Sequence, residues 1–403
     1  MPQIKLRIAT NFDELSPISH EWDSFMESIG AEIFLTYDWC RIWWKHYAGN
    51  RKLKIMIVKR GNEIIAILPM FLDALSAGPL KIYVLRLMGS DYTPVAVRLP
   101  IKDDCIGDAL AVMLEELKKE KNLDLIHLGT LSGIFDKTNA ITDIVRNNAD
   151  GYWGIEKKET TVQTYFELRE NWNDQLSSLE KRQRKNIKRA YRQLEDHGWS
   201  LCHTYASKQD LDIYFKEFVE MHQRHWHELG EAGHFNDWPK AYEFHREVAK
   251  AQIEHDRLRL MKLLLDDTCL GYKYAYKFGN TYYSFLNARN NNDKYHDVGF
   301  NQISHAEQVK DGIIENVTLI DSMRGKYDHK IYLGGKILPV HEVFLYQHIK
   351  SQMLKIRYLK YISTSFDVLY YKIWRRRVRP KLKQWTDVPL NDYWIRTNAF
   401  SMK

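Results

Sequence analysis

Residues 53–66 read LKIMIVKRGNEIIA, and residues 258–271 read LRLMKLLLDDTCLG; the two align without a gap at an offset of 205 residues. Each is an apolar strand, a polar turn (Arg60-Gly61-Asn62; Asp266-Asp267-Thr268) and a returning strand that reaches a small residue, Ala66 or Gly271. Alternating apolar stretches around such a turn predict a β-hairpin. A hairpin that recurs at domain-sized spacing predicts a duplicated unit rather than a solenoid. A second pair supports this: LDLIHL (123–128) and VTLIDS (317–322) follow the two hairpins in the same order.

Working outward, the first copy reads as a strand at 4–9, a helix over 12–29 with Trp22 and Phe25 on its apolar side, and an aromatic helix from Asp38 to Tyr47 with Asp38 as its cap. The hairpin 53–72, a strand near 81–88, a polar loop 89–94, a helix 105–121 and the strand 123–128 complete it. Two strand-like pieces near 152–168 come next. The second copy reads as a strand 199–205, helices 208–229 and 239–255, the hairpin 258–278, a strand 282–288 and a polar loop 290–298. A helix over 299–310 and the strand 317–320 close it. The expected fold is α/β (α+β mixed sheets), two tandem units plus a basic helical tail. The boundaries are 1–170, a basic bridging helix 171–198, 199–345, and the tail 346–403, with helix over 342–361.

The 403 residues suffice for two or three cores, and the balance of 44% hydrophobic to 28% charged is globular. Net charge is +7, concentrated in two runs: six basic residues and no acid in 181–189, and seven in 372–383. Such a balance favours anionic ligands without choosing among them. With charge on nearly every face, the first run is read as exposed and bridging. The second, with Trp374 and Trp385, could rest on anionic lipid or simply be solvated. Cys40, Cys105, Cys202 and Cys269 form no CxxC pair and have no histidine at metal-ligand spacing, so four buried thiols and no metal are expected. The opening MPQIKLRIATNFDEL meets acids early and has no long apolar core, so it is not read as a signal peptide. A cytoplasmic chain, peripheral at most to the inner membrane face, is expected.

Two clusters could carry chemistry. The helix that starts at Gly299 presents free N–H groups and a positive dipole end, an anion site that would suit a pyrophosphate; the alternative is a glycine that merely permits a turn. After the closing strand, Asp321-Ser322-Met323-Arg324-Gly325-Lys326-Tyr327-Asp328-His329-Lys330 offers an acid, a hydroxyl, a guanidinium and ammonium groups where ligands of open α/β sheets lie. A solvated, salt-bridged turn is the alternative. His222, His225 and His227 have no completing carboxylate and are read as helix surface.

These features together resemble a family. FLTYDWCRIWWKHY (34–47), the hairpin end Ile65-Ala66-Ile67-Leu68-Pro69, SLEKRQRKNIKRAYRQLEDHG (178–198) and DSMRG (321–325) are similar to GNAT-superfamily acyltransferases of the CelD type, with a BioF-like acetyltransferase domain. The resemblance spans about residues 5–345. It implies tandem GNAT units, like those of Fem-type aminoacyl transferases, and acyl transfer from acetyl-CoA or another acyl-CoA to a small-molecule or lipid-linked sugar, or to a cell-envelope or exopolysaccharide precursor. By position it implies donor contacts at Phe285, Asn287, Val298, Gly299, Phe300 and Asn301, with Asp321, Arg324 and Lys330 as catalytic groups. Asp91, Tyr92 and Tyr327 would contact the acceptor, and nucleic acid is not an expected partner. The family's donor loop reads Arg/Gln-x-x-Gly-x-Gly/Ala. Here His296-Asp297-Val298-Gly299-Phe300-Asn301 keeps only the middle glycine, which leaves the acyl group open. A Fem-like aminoacyl-tRNA donor, or a non-catalytic binding module, are the rival readings.

Overall fold

The computed structural model describes residues 3–135, 138–147, 151–290, 298–381 and 388–402. The chain divides into two units, Met1–Thr161 with Pro339–Lys403, and Val162–Leu338. In chain order come β1 (Ile4–Ala9), α1 (Ser19–Ser28), α2 (Tyr37–Tyr47), β2 (Lys52–Arg60), β3 (Glu63–Ala77) and β4 (Leu80–Leu87). Next are α3 (Ile106–Leu117), β5 (Leu125–Leu131), α4 (Thr138–Arg146) and β6 (Trp153–Glu167), along which the chain enters the second unit. That unit holds α5 (Trp172–Ser178), α6 (Lys181–Asp196), β7 (Leu201–Tyr205), α7 (Leu211–Glu228), α8 (His234–Asp237) and α9 (Ala241–Glu254). It continues with β8 (Leu258–Leu265), β9 (Thr268–Phe278), β10 (Thr281–Arg289), α10 (Phe300–Ile314), β11 (Leu319–Arg324) and α11 (Asp328–Tyr332). The chain returns to the first unit along β12 (Lys336–Gln347) and ends in α12 (Lys350–Phe366), a π-helical stretch Asp367–Val378 and α13 (Asp392–Thr397).

The duplication is visible in strand register. In β2–β3, Val58 faces Ala66 and the register then shifts before Lys59; in β8–β9, Leu263 faces Gly271 and the register shifts before Leu264. A bulge inserts one unmatched residue and bends the strand. Both bulges fall at the same aligned position. In each unit a short parallel pairing follows: Val84–Arg86 with Leu125–His127, and Thr281–Tyr283 with Leu319–Asp321. The first unit's strands lie in the order β1-β2-β3-β4-β5-β12, with the start of β6 beside β12, where the Thr160 hydroxyl lies 3.5 Å from the Val340 carbonyl. The second unit's order is β6-β11-β10-β9-β8-β7. The fold is mixed α/β throughout.

Past their three paired residues, β4 and β5 part, and the first unit fills the opening with its own chain. Val97 donates its N–H to Thr130 O and accepts from Ser132 N–H, while the Thr130 hydroxyl caps Val95 O. Val95, Val97 and Ile101 are buried there.

Several expectations need correction. The basic helix is not freely exposed. In α6, Ile187, Ala190 and Leu194 are buried, and the last two pack with Leu263, Leu270, Val298 and Phe300. Three apolar residues at helical spacing make a sufficient stripe while the charges keep the other side. A capping box between Glu180 and Gln183 starts the helix. The segment 342–347 is strand, not helix: Val343, Phe344 and Leu345 are buried on both faces, and a short, fully buried apolar run has no period to distinguish the two. The pieces near 152–168 are one strand. Thr36, not Asp38, holds the cap position of α2; Asp38 sits in the first turn and pairs with Arg41 at 2.9 Å. Cys202 is exposed and Cys269 half-buried. The tail is built into the first unit, since Ile356, Leu359 and Phe400 pack with Leu75, Ile82, Val84 and Leu125.

Candidate functional site

In the second unit the same parting is left open. Beyond Tyr283 and Asp321, β10 stays with β9 as far as Arg289, while β11 stays with β6 as far as Arg324. Between them lies a cavity of about 490 Å³. Its walls come from β10, from β11 and the turn into α11, from Lys273 of β9, from the first turns of α10, and from His222, His225 and Trp226 of α7. A register shift between Ser284 and Leu286 places a bulge at Phe285. The Phe285 ring meets His245 at 5.0 Å and His234 at 6.0 Å.

Of the residues expected to hold a donor, Phe285, Asn287, Phe300 and Asn301 line the cavity. The Asn287 carbonyl accepts from Nδ1 of His222 at 2.8 Å, which makes Nδ1 the protonated nitrogen. Burial then holds this imidazole neutral, its pKa down at about 4. His222 is therefore a buried wall residue rather than helix surface, contrary to the sequence reading. Val298 is buried in the cluster under α6. Gly299 has an ordinary negative φ of −67°, but a Cβ there would stand 3.3 Å from that of Ala190 and 2.9 Å from the Gln302 side chain. Its value is the close approach of α6 to the start of α10. Most of the polar loop 290–298, with His296 and Asp297, lies outside the described residues.

Arg324, Tyr327 and Lys330 line the cavity; Asp321 does not. Alternation along β11 turns Ile320 and Ser322 inward and Asp321 to the other face. There Gln163 Nε2 donates to Oδ2 at 2.6 Å and the Met323 N–H to Oδ1 at 2.8 Å. Burial pushes this carboxyl up to about 7; the two donors and Lys330 pull the other way. Lys330 donates to the Ser322 carbonyl and lies 4.9 Å over the Tyr327 ring. Burial lowers it to about 8, against the pull of Asp321.

Lys273 escaped the sequence reading. It is 5% exposed, and burial first, then Lys330, hold it down to about 7. A signal existed: at the aligned position the first hairpin has Leu68, so a strand position that takes leucine in one copy carries a cation in the other.

Asp91 and Tyr92 are not among the cavity residues. They belong to a buried network in the first unit. Asp91 pairs with Arg51 at 2.6 Å and Arg86 at 3.3 Å, and Asp73 with Arg51 at 3.5 Å and, more closely, with Arg396. Burial alone would raise the Asp91 carboxyl, but the two guanidinium groups bring it below the ordinary value. Tyr92 stacks on Tyr47 at 4.7 Å and donates to Asp392 at 2.8 Å. Among the described residues no group of three or more His, Cys, Asp or Glu could hold a metal ion, and no helix is long and apolar enough to cross a membrane.

Residues 181–331 match the family described as Acetyltransferase (GNAT) domain. That stretch supplies every wall residue of the cavity except Phe166 and Leu333. The second unit therefore contains the stretch that matches this GNAT-type domain. No curated protein matches the sequence. Among solved structures, the chain is similar to FemX, with a TM-score of 0.63 at 12% identity, covering 88% of this chain and 100% of that one. It is also similar to a conserved protein of unknown function from Bacteroides thetaiotaomicron VPI-5482, with a TM-score of 0.51 at 10% identity, covering 86% and 100%. At these identities the likeness is one of fold, and it extends well beyond the matched domain.

Proposed function

We propose that the chain transfers an acyl group from an acyl-CoA to an amine or hydroxyl of a sugar or cell-envelope precursor, with the chemistry in the second unit. The observation that carries this reading is the open parting of β10 and β11, which gives a cavity beside the bulge at Phe285. Backbone N–H groups around Phe285–Asn287 would polarise the thioester carbonyl, and the start of α10 would take the donor's phosphates. The acceptor must lose a proton as it attacks. Lys330 opens to the cavity and is held near neutrality, so we assign it that proton. Asp321, closed off behind β11, acts through Lys330 as a positioning residue. Attack is direct, and the thiolate of coenzyme A leaves.

Calorimetry with acetyl-CoA and longer acyl-CoAs, together with thiol release in the presence of amino sugars, tests this. Lys330→Met should lower kcat about 100-fold or more and leave the donor Kd nearly unchanged. Failure of every acyl-CoA to bind would sink the reading.

A second reading is an aminoacyl ester carried on RNA. The exposed side of α6 favours it: Lys181, Lys185, Lys188, Arg189 and Arg192 face solvent and form no ion pair among the described residues. A shift assay with tRNA at rising salt decides, since phosphate contacts predict a steep loss of affinity. We further propose that the exposed Ile373, Trp374 and Arg376 rest on an anionic membrane surface. Flotation with phosphatidylglycerol vesicles, compared with neutral ones, checks this; Lys383 and Trp385 of the same run lie outside the described residues.

A further inference from the structure

Among the described residues the charge of the cavity wall is one-sided. Lys273, Arg289, Arg324 and Lys330 line it, and no described aspartate or glutamate does. Asp321 of β11 is on the far side of that strand with both oxygens already taken. Arg289 and Arg324 have partners of their own, and Lys330 is tied to the Ser322 carbonyl. Lys273 differs. It is 95% buried, and among the described residues its ammonium makes no hydrogen bond and no ion pair. Its electrostatic neighbours, His305, His329 and Lys330, are basic groups. Leaving a buried ammonium unpaired is costly, and a fold that needed only bulk here would keep the leucine of the first hairpin, Leu68.

We infer that the inner end of this cavity is a subsite for a carboxylate carried by a substrate, with the Lys273 ammonium as its direct partner. One unpaired ammonium matches a monoanion; a phosphoryl dianion would leave a second charge in the same buried space. The inference rests on the acyl-transfer reading only for what carries the carboxylate, which is either the far end of a dicarboxylic acyl group on the donor or an acidic group on the acceptor. Binding should also draw a proton from solvent, because Lys273 is held near 7 in the empty site and a bound carboxylate favours its charged form.

The test starts with the whole chain and monomethyl glutarate, a monoanion, without any donor. Calorimetry at pH 8, in buffers of different ionisation enthalpy, should show monomethyl glutarate binding with proton uptake. Lys273→Met should weaken binding at least about tenfold, and Lys273→Arg should retain most of it. Both variants are checked for cooperative unfolding, and Lys273→Leu repeats the residue of the first hairpin should methionine fit poorly. Equal binding by wild type and Lys273→Met, or no binding by wild type, overturns the inference; neither outcome depends on whether acyl-CoA binds. A second arm locates the carboxylate. Preference for glutaryl-CoA over acetyl-CoA, lost in Lys273→Met, places it on the donor. Preference for a carboxylated over an uncharged amine, lost in the same variant, places it on the acceptor. Transfer activity with neither preference also overturns the inference.

Discussion

Asp321 shows how burial decides the role of a residue. Its carboxyl is raised to about 7 from an ordinary 3.8, so the folded state keeps the proton longer than the unfolded chain does. Between those values the folded state binds more protons, and the stability from this group must fall as pH rises. Relative to Asp321→Asn, wild type should lose about 1.4 kcal/mol per pH unit across that window and level off above it. Urea unfolding at pH 5 and pH 8 measures this; a pH-independent difference would refute it. Gly271 gives a second test. A Cβ there would lie 2.3 Å from the Ala288 carbonyl and 2.6 Å from the Phe300 ring, although the aligned residue of the first hairpin is Ala66. Gly271→Ala should cost about 1–3 kcal/mol and weaken donor binding by shifting β10 against α10, whereas Ala66→Gly should leave donor binding alone. Arg324, Lys330 and Tyr327 were legible as a cluster because they follow a closing strand. Which of their neighbours faces inward was not, because a bulge and a left-handed residue, Met323 at φ 62°, interrupt β11. Lys273 was hidden for another reason: its chemistry comes from the absence of partners, which only packing reveals.

At the scale of elements, the hairpins were readable because their alternation and turns are local. The aligned bulges go further, since two strands diverged in sequence still break register at one place. Long-range features were misread. The seven cations of α6 masked a narrow stripe that binds it to the second unit, where Tyr191 also reaches Glu307 at 2.5 Å and Lys310 pairs with the same carboxylate at 2.7 Å. Leu194→Ala should therefore destabilise the second unit by about 2–4 kcal/mol. A solvent-exposed bridging helix would lose almost nothing, and thermal unfolding separates the two. The second half of β12, residues 342–347, reads as helix in sequence because its partner, β5, lies some two hundred residues earlier, and no local pattern announces such a pairing.

For the molecule as a whole, the two units depend differently on the end of the chain. Trp394 is buried with its indole on Asp367, Arg396 holds Asp73, and Phe400 packs in the first unit's core. Deleting residues 389–403 should cost the first unit at least about 4 kcal/mol, since losing one buried aromatic alone costs about 3–5. The second unit's cavity should still bind donor; unchanged unfolding of the first unit would contradict this account. Because the chain leaves the first unit after Thr161 and re-enters it at Pro339, the second unit is a guest spliced into its host. The two cut ends are neighbours, as the contact from Thr160 to Val340 shows. A short turn from 161 to 339 should thus heal the host, and residues 162–338 are one unbroken stretch of gene that could be moved whole into another protein.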